Sequence, residues 1–111
     1  MKNNADIFKE NEFEIESFLT DELLLIKENH CRNKRFNLDW PSIIANSLGI
    51  IYNLLGIGTV AYSVWVMKKN QAIRDLQDEN KAIKMSAEEA EDIIRRICEM
   101  LNIPYPPISP A

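Results

Sequence analysis

The longest uncharged segment constrains this chain more than any other feature. Residues 40–67 contain no Asp, Glu, Lys or Arg, whereas residues 1–39 carry nine acids and six bases. Residues 68–111 carry eight acids and seven bases. A surface helix of a globular protein normally shows a charged or polar face at every turn. The uncharged segment departs from that pattern, so it needs a different explanation.

We interpret residues 41–67 as one membrane-spanning helix. These 27 residues make about 40 Å of helix, which exceeds the roughly 30 Å thickness of the hydrocarbon core. Both ends carry residues that favour the headgroup region, with Trp40 at one end and Trp65, Lys68 and Lys69 at the other. The alternative is a central helix of a soluble bundle. That helix needs neighbours on every side, and two highly charged flanks of about 40 residues offer thin cover.

Small and polar residues inside this segment recur at alternating spacings of three and four, which places them on one stripe of a helix. The stripe comprises Asn46, Gly49, Asn53 and Gly56, and Ser63 follows two such spacings after Gly56. In lipid, helices associate through close backbone approach at small residues and through hydrogen bonds from amides and hydroxyls. The stripe therefore predicts packing against another membrane helix, although glycines are also simply common in such helices. The segment has no Asp, Glu, Lys, Arg or His to serve in a proton relay.

The segment after the uncharged run predicts further helix. Four residues occupy heptad a and d positions, namely Ile73, Leu76, Asn80 and Ile83. An Asn at an a position fixes the register and strand number of a coiled coil. Ser86 and Glu89 have the spacing of a capping box, which marks a helix start. Residues 68–101 are therefore one long helix or two with a bend near Met85, and we favour the bend.

The N-terminal arm, residues 1–40, predicts acidic amphipathic helix. Residues 1–31 hold eight acids against three lysines, which disfavours binding to anionic lipid. The arm is expected to pack on a protein partner, or on the chain's own C-terminal helix if both lie on one side of the membrane; a single span puts them on opposite sides and so implies a partner. Just before the uncharged run lies a short basic group that sets membrane topology or contacts lipid phosphates. It consists of Arg32, Lys34 and Arg35.

The C-terminal tail, residues 102–111, is rich in proline and contains two PxxP patterns. Proline favours polyproline II over helix, and such segments dock in aromatic grooves. The alternative is a tail that drapes over a neighbour or frays.

No catalytic, cofactor or metal site is expected. His30, the only histidine, adjoins Cys31 but has no further ligands at metal-site spacing. No phosphate-binding glycine loop, nucleophile motif or paired carboxylates in a credible pocket are present, so no small-molecule substrate is expected. The net charge of −4 argues against nucleic acid as a partner. Cys31 and Cys98 flank the uncharged run, so a structural disulfide is not expected.

The sequence therefore predicts an all-α chain with a single transmembrane helix, flanked by an acidic amphipathic arm and a helical or coiled-coil segment. The divisions are an arm over 1–40, a membrane helix over 41–67, a helical segment over 68–101 and a tail over 102–111. We expect a non-enzymatic single-pass membrane subunit, an anchor or assembly element whose partners are other membrane subunits and the bilayer. Its N-terminus is expected on the cytoplasmic or matrix side. The alternatives are a homo-oligomer acting as a pore or effector, and a soluble helical interaction protein.

Overall fold

A computed structural model describes residues 3–30, 38–57 and 60–106 of the chain. Within these ranges the chain is helical and has no strand, so the all-α prediction is confirmed. The α-helices are α1 (Asn4–Glu10), α2 (Glu12–His30), α3 (Trp40–Leu55), α4 (Tyr62–Glu79) and α5 (Ala87–Met100). A short 3-10 helix, Lys81–Ile83, lies between α4 and α5.

The uncharged segment forms two helices rather than one. α3 ends at Leu55, Gly56 caps it by donating its backbone N–H to the Tyr52 carbonyl, and α4 begins at Tyr62. Glycine is a poor helix former because fixing its backbone costs more entropy than fixing alanine's. Gly56 falls at this break. In this structure the predicted single helix over 41–67 is therefore replaced by the end of α3 and the start of α4.

α3 and α4 lie side by side and run in opposite directions. The Asn46 side chain, in the first half of α3, donates a hydrogen bond to Glu79 at the end of α4. Near the other end of α3, Leu54 and Ala72 line one shared crevice. Among the described residues, no helix is both long enough and apolar enough to cross a membrane.

α2 closes the arrangement on the side opposite α4. It runs antiparallel to α5, since Glu22 pairs with Arg96 and His30 pairs with Glu89 further along both helices. α2 also packs against α3, and α4 packs against α5. The four longer helices therefore form a ring in which each contacts the next and α5 returns to α2, the arrangement of an antiparallel bundle.

The apolar faces of the helices meet inside this ring. The buried apolar residues of the four longer helices include Ile15, Leu19 and Leu23 from α2, Ile51 and Leu55 from α3, Trp65 and Leu76 from α4, and Ile93, Ile94 and Ile97 from α5. Burial of this surface is the main favourable term in folding. The flanks that the sequence suggested were too thin to cover α3 do cover its apolar side.

The predicted heptad residues lie in this core but not on one helix. Ile73 and Leu76 belong to α4, Asn80 caps it, and Ile83 sits in the 3-10 helix. All four side chains are buried against the chain's own helices. α4 ends at Glu79, so the heptad pattern does not run through one helix over 68–101.

Residues 68–101 form two helices, as we favoured. The capping box at the start of α5 is confirmed, because the Glu89 N–H donates to the Ser86 hydroxyl at 3.1 Å and the Ser86 N–H donates to the Glu89 carboxylate at 3.0 Å. Lys84, just before this cap, adopts a left-handed conformation with φ of 60°. A left-handed residue ends the helical path, so α5 starts in a new direction.

One polar pair is buried inside the core. The Asn80 side-chain N–H₂ donates to the Ser47 hydroxyl at 3.2 Å and to the Leu76 carbonyl at 2.9 Å. The Asn80 side-chain oxygen has no hydrogen-bond partner in the described part of the chain. The pair joins α3 to the end of α4 and fixes how far one helix is shifted along the other.

Candidate interaction surface

α3 is amphipathic, although it contains no charge. Its inward positions include Ile44, Leu48, Ile51 and Leu54, which are all buried. Its exposed positions form a surface that we call the outer face of α3. The outer face comprises Pro41, Ser42, Ala45, Asn46, Gly49 and Asn53. The polar side of this helix is thus built from small, uncharged residues where other surface helices carry Lys and Glu.

A groove lies between the outer face and the α1–α2 side of the bundle. Its volume is about 740 Å³, and it extends along α3 from Trp40 to Asn53. The floor is apolar, with Ile44 and Leu48 among its residues. Glu12 and Glu16 of α2 line the opposite wall.

Aromatic contacts hold the two ends of the groove. At one end the Phe8 and Tyr52 rings meet edge to face, with centroids 5.6 Å apart. At the other end the Lys27 ammonium lies 5.5 Å from the centre of the Trp40 ring, within the range of a cation–π interaction. These contacts position α1 and α2 against α3 while the middle of the groove stays open.

The two walls differ in charge. Glu12 and Glu16 are exposed, and neither forms an ion pair with another described residue. Across residues 3–30 the chain carries eight acids against Lys9 and Lys27. The α2 wall is therefore negative and the α3 wall is neutral.

The predicted packing stripe is divided by the fold. Gly49 and Asn53 line the groove, and Asn46 binds Glu79 beside it. Gly56 ends α3, and a side chain there would come close to Ala5 of α1. Ser63 lies exposed on α4. The stripe is therefore not one continuous face, because the chain turns between Gly56 and Ser63.

The predicted membrane-interface anchors also have distinct surroundings. Trp40 lines the groove, whereas Trp65 is only 2 % exposed and lies in the core of the bundle. Lys68 is exposed, and Lys69 forms an ion pair with Glu91 of α5 at 3.2 Å. The two tryptophans therefore do not mark two ends of one helix.

The beginning of the tail packs on the chain itself. The Tyr105 hydroxyl donates to the Glu91 carboxylate at 2.9 Å, and its ring meets the Trp65 ring edge to face at 6.3 Å. The bond from Tyr105 and then the bond from Lys69 lower the pKa of Glu91. Burial, and then the bond to Glu91, raise the pKa of Tyr105. Pro107 and Pro110 of the PxxP patterns lie outside the described residues, as do Cys31 and the basic group Arg32, Lys34 and Arg35.

Titratable side chains in the described part of the chain show no grouping suited to metal binding. Within residues 3–30, 38–57 and 60–106, no three His, Cys, Asp or Glu side chains lie close enough to share a metal ion. Cys98 is fully buried, and burial raises the pKa of its thiol to about 12. A thiol held neutral in this way is a poor nucleophile, because the thiolate is the reactive form.

Comparison with known proteins gives no family and no template. No protein-family model, curated protein or solved structure matches this chain. The functional proposal therefore rests on the surface of the chain itself.

Proposed function

We propose that this chain is a non-enzymatic assembly element that binds another protein through the outer face of α3. One observation carries the proposal. The exposed side of α3 has no charge from Pro41 to Asn53, whereas every other described α-helix carries both acids and bases. The centres of protein interfaces are depleted in charged residues, because burying an unpaired charge is costly.

Gly49 supports the proposal from a different direction. A side chain built at Gly49 meets no atom within 4 Å, so the packing of this chain does not require glycine there. A glycine inside a helix costs about 1 kcal/mol relative to alanine. Close approach of a partner to the outer face would require a small residue at Gly49, whereas the packing of the bundle does not.

Bulky substitutions on the outer face test the proposal. Gly49→Leu fills the face without touching the core, and Ala87→Leu adds a similar side chain at an exposed position of α5 as the matched control. The full chain, tagged and expressed in its source cells, is compared by native mass spectrometry of its purified complexes. We expect Gly49→Leu to lose the partner that Ala87→Leu and the parent retain. Retention of the same complex by all three chains would refute the proposal.

A second candidate is the single-pass membrane anchor, with its acidic arm on the cytoplasmic or matrix side. The charge-free length of residues 40–67 favours it. In that state the segments now forming α3 and the start of α4 would join as one spanning helix. The partners would then be the bilayer and other membrane subunits, or further copies of this chain in a pore or effector assembly.

Asn53→Arg separates the two candidates. Asn53 is exposed in the bundle, so an Arg there reaches water and leaves the fold unchanged. The same position lies near the middle of 41–67, where Arg adds about 2.5 to 3.5 kcal/mol to membrane insertion. The measurement is carbonate extraction of membranes from cells that express each chain. A parent that resists extraction and a variant that does not would favour the anchor, whereas a parent that washes off would exclude it.

A further inference from the structure

We infer that the groove between α2 and α3 receives an amphipathic helix of another protein, and that one flank of this helix carries Lys or Arg. The inference rests on the proposed function and names the class of partner that the outer face of α3 would bind. It follows from the shape of the groove, its apolar floor and the unequal charge of its walls.

The length of the groove and the shape of its surface suit a bound helix. From Trp40 to Asn53 the groove follows α3 for 14 residues, or about 20 Å at 1.5 Å per residue. Residues spaced by four form ridges on a helix surface, and helices pack by fitting the ridges of one into the grooves of the other. Ala45, Gly49 and Asn53 form one such row on the groove side of α3. Because Ala45 and Gly49 are small, the axis of a second helix can come close to α3.

The floor favours an apolar stripe on that helix. Ile44, Leu48 and the Trp40 ring line the groove beneath the open space. Peptides that bind as helices place apolar anchors at spacings of three and four into grooves of this kind. The partner is thus expected to present Leu, Ile or Phe towards α3.

The charge of the walls orients the partner. Glu12 and Glu16 leave the α2 wall negative and without ion pairs in the described part of the chain, while the α3 wall is neutral. A basic flank beside α2 satisfies this arrangement, and an acidic one is repelled. The same wall, on a chain of net charge −4, disfavours a second copy as the occupant.

Two matched peptides test the inference with the full chain. Both are 18-residue helix-forming designs with a Leu stripe. One carries Lys along one flank, and the other carries Glu at the same positions. Binding is followed by the emission of Trp40, which lines the groove, while the buried Trp65 supplies a constant background. We expect the Lys peptide to bind at least tenfold more tightly than the Glu peptide, with a preference that weakens as salt rises.

Variants of the chain locate the site of binding. Gly49→Leu should weaken the Lys peptide at least tenfold, because its side chain occupies the groove. The pair Glu12→Gln and Glu16→Gln should bring the affinities of the two peptides together. The control pair Glu88→Gln and Glu99→Gln removes two exposed acids from α5 and should change neither affinity. Thermal melts by circular dichroism check that each variant folds. Fluorescence anisotropy of a labelled Lys peptide measures binding independently of Trp40 emission, in the parent and in Trp40→Phe.

Other outcomes overturn the inference in distinguishable ways. If both peptides bind equally and Gly49→Leu weakens both, the basic flank is wrong and the proposed function stands. If neither peptide binds while Gly49→Leu still abolishes the native complex, the helical occupant is wrong and the proposed function again stands. If sedimentation shows a dimer that Gly49→Leu converts to a monomer, the occupant is a second copy. Equal loss of Lys-peptide binding in the α5 control pair would show attraction to net charge alone.

Discussion

At the scale of single residues, Gly49 within α3 and Gly56 at its C-cap have different surroundings. A side chain added at Gly49 meets no atom within 4 Å, whereas one added at Gly56 would lie 2.9 Å from the Tyr52 carbonyl oxygen. Gly56 therefore meets a local requirement of the α3 terminus. Gly49 meets no such requirement among the described residues, and a side chain there would extend into open space.

Gly49→Ala is expected to stabilise the chain by about 0.5 to 1 kcal/mol, because alanine loses less backbone entropy on entering a helix. Gly56→Ala is the matched control and should bring no gain, since its new methyl group is crowded by backbone. Chemical denaturation of the three chains measures the difference in free energy of unfolding. A destabilised Gly49→Ala would show that this residue has a packing role inside the bundle.

The buried hydrogen bond between Ser47 and Asn80 also depends on single side chains. Removing one partner leaves a buried polar group with fewer bonds, whereas replacing both removes the requirement. We expect Ser47→Ala and Asn80→Leu singly to destabilise by about 1 to 3 kcal/mol each, and the double variant to lose less than their sum. A double-mutant cycle of unfolding free energies measures this coupling. Strict additivity would mean that the bond contributes nothing.

At the scale of elements, the helix starts differ in how well they are capped. α5 begins with a complete capping box at Ser86, and the Glu89 carboxylate of that box also accepts from His30 of α2. Burial works to raise the pKa of Glu89, but the bonds from Ser86 and His30 outweigh it and lower the pKa. The N-cap of α4 is Ala61, whose backbone has the extended geometry of a cap but whose side chain cannot accept a hydrogen bond.

Removing the cap of α5 and adding one to α4 should change the free energy of unfolding in opposite directions. Ser86→Ala removes an acceptor for the Glu89 N–H and should cost about 1 kcal/mol, whereas Ala61→Ser supplies one and should gain about the same. Ser63→Ala, an exposed serine of α4, is the control and should change the free energy of unfolding by less than about 0.5 kcal/mol. Equal melting temperatures for Ser86→Ala and the parent would contradict the role of the box.

At the scale of the whole molecule, the last described residues close the bundle against α4 and α5. Tyr105 contacts Trp65 through its ring and Glu91 through its hydroxyl, and the Lys69 ammonium lies 5.3 Å from the centre of the same ring. Glu91 is the shared acceptor of Tyr105 and Lys69. The beginning of the tail thus contacts α4 and α5 at the same time, through Trp65 and Glu91.

This closure makes the chain sensitive to acid. The pKa of Glu91 is lowered from 4.5 in the folded state, so the unfolded chain binds its proton first as the pH falls. The stabilisation is complete above about pH 4.5 and is lost as the pH drops through the folded pKa. Glu91→Gln should be less stable at neutral pH and should lose less stability on acidification, while Glu88→Gln should follow the parent. Denaturation at pH 7 and pH 3 tests this, and identical acid losses in all three chains would refute it.

Local rules determined much of this protein. Helical content, the start of α5 at Ser86 and the burial of Leu76 follow from capping and apolar spacing, which act within a few residues along the chain. The wall formed by Glu12 and Glu16 had no sequence signal, because only the approach of α2 to α3 makes those two acids part of a groove. The sequence places Gly49 and Asn53 on one side of a helix, but it does not indicate which surface lies opposite them.

The uncharged segment shows why other features of this protein could not be predicted without the tertiary structure. A run without charge fits a lipid-facing helix, and it equally fits a helix whose exposed side consists of Gly, Ala, Ser and Asn. Hydropathy averages these small residues with the buried Ile and Leu beside them and cannot distinguish the two. In the structure, α2 and α4 cover the apolar side of α3 and leave only its small residues exposed. That cover comes from residues distant in the chain, so its presence depends on how the helices pack and not on the segment alone.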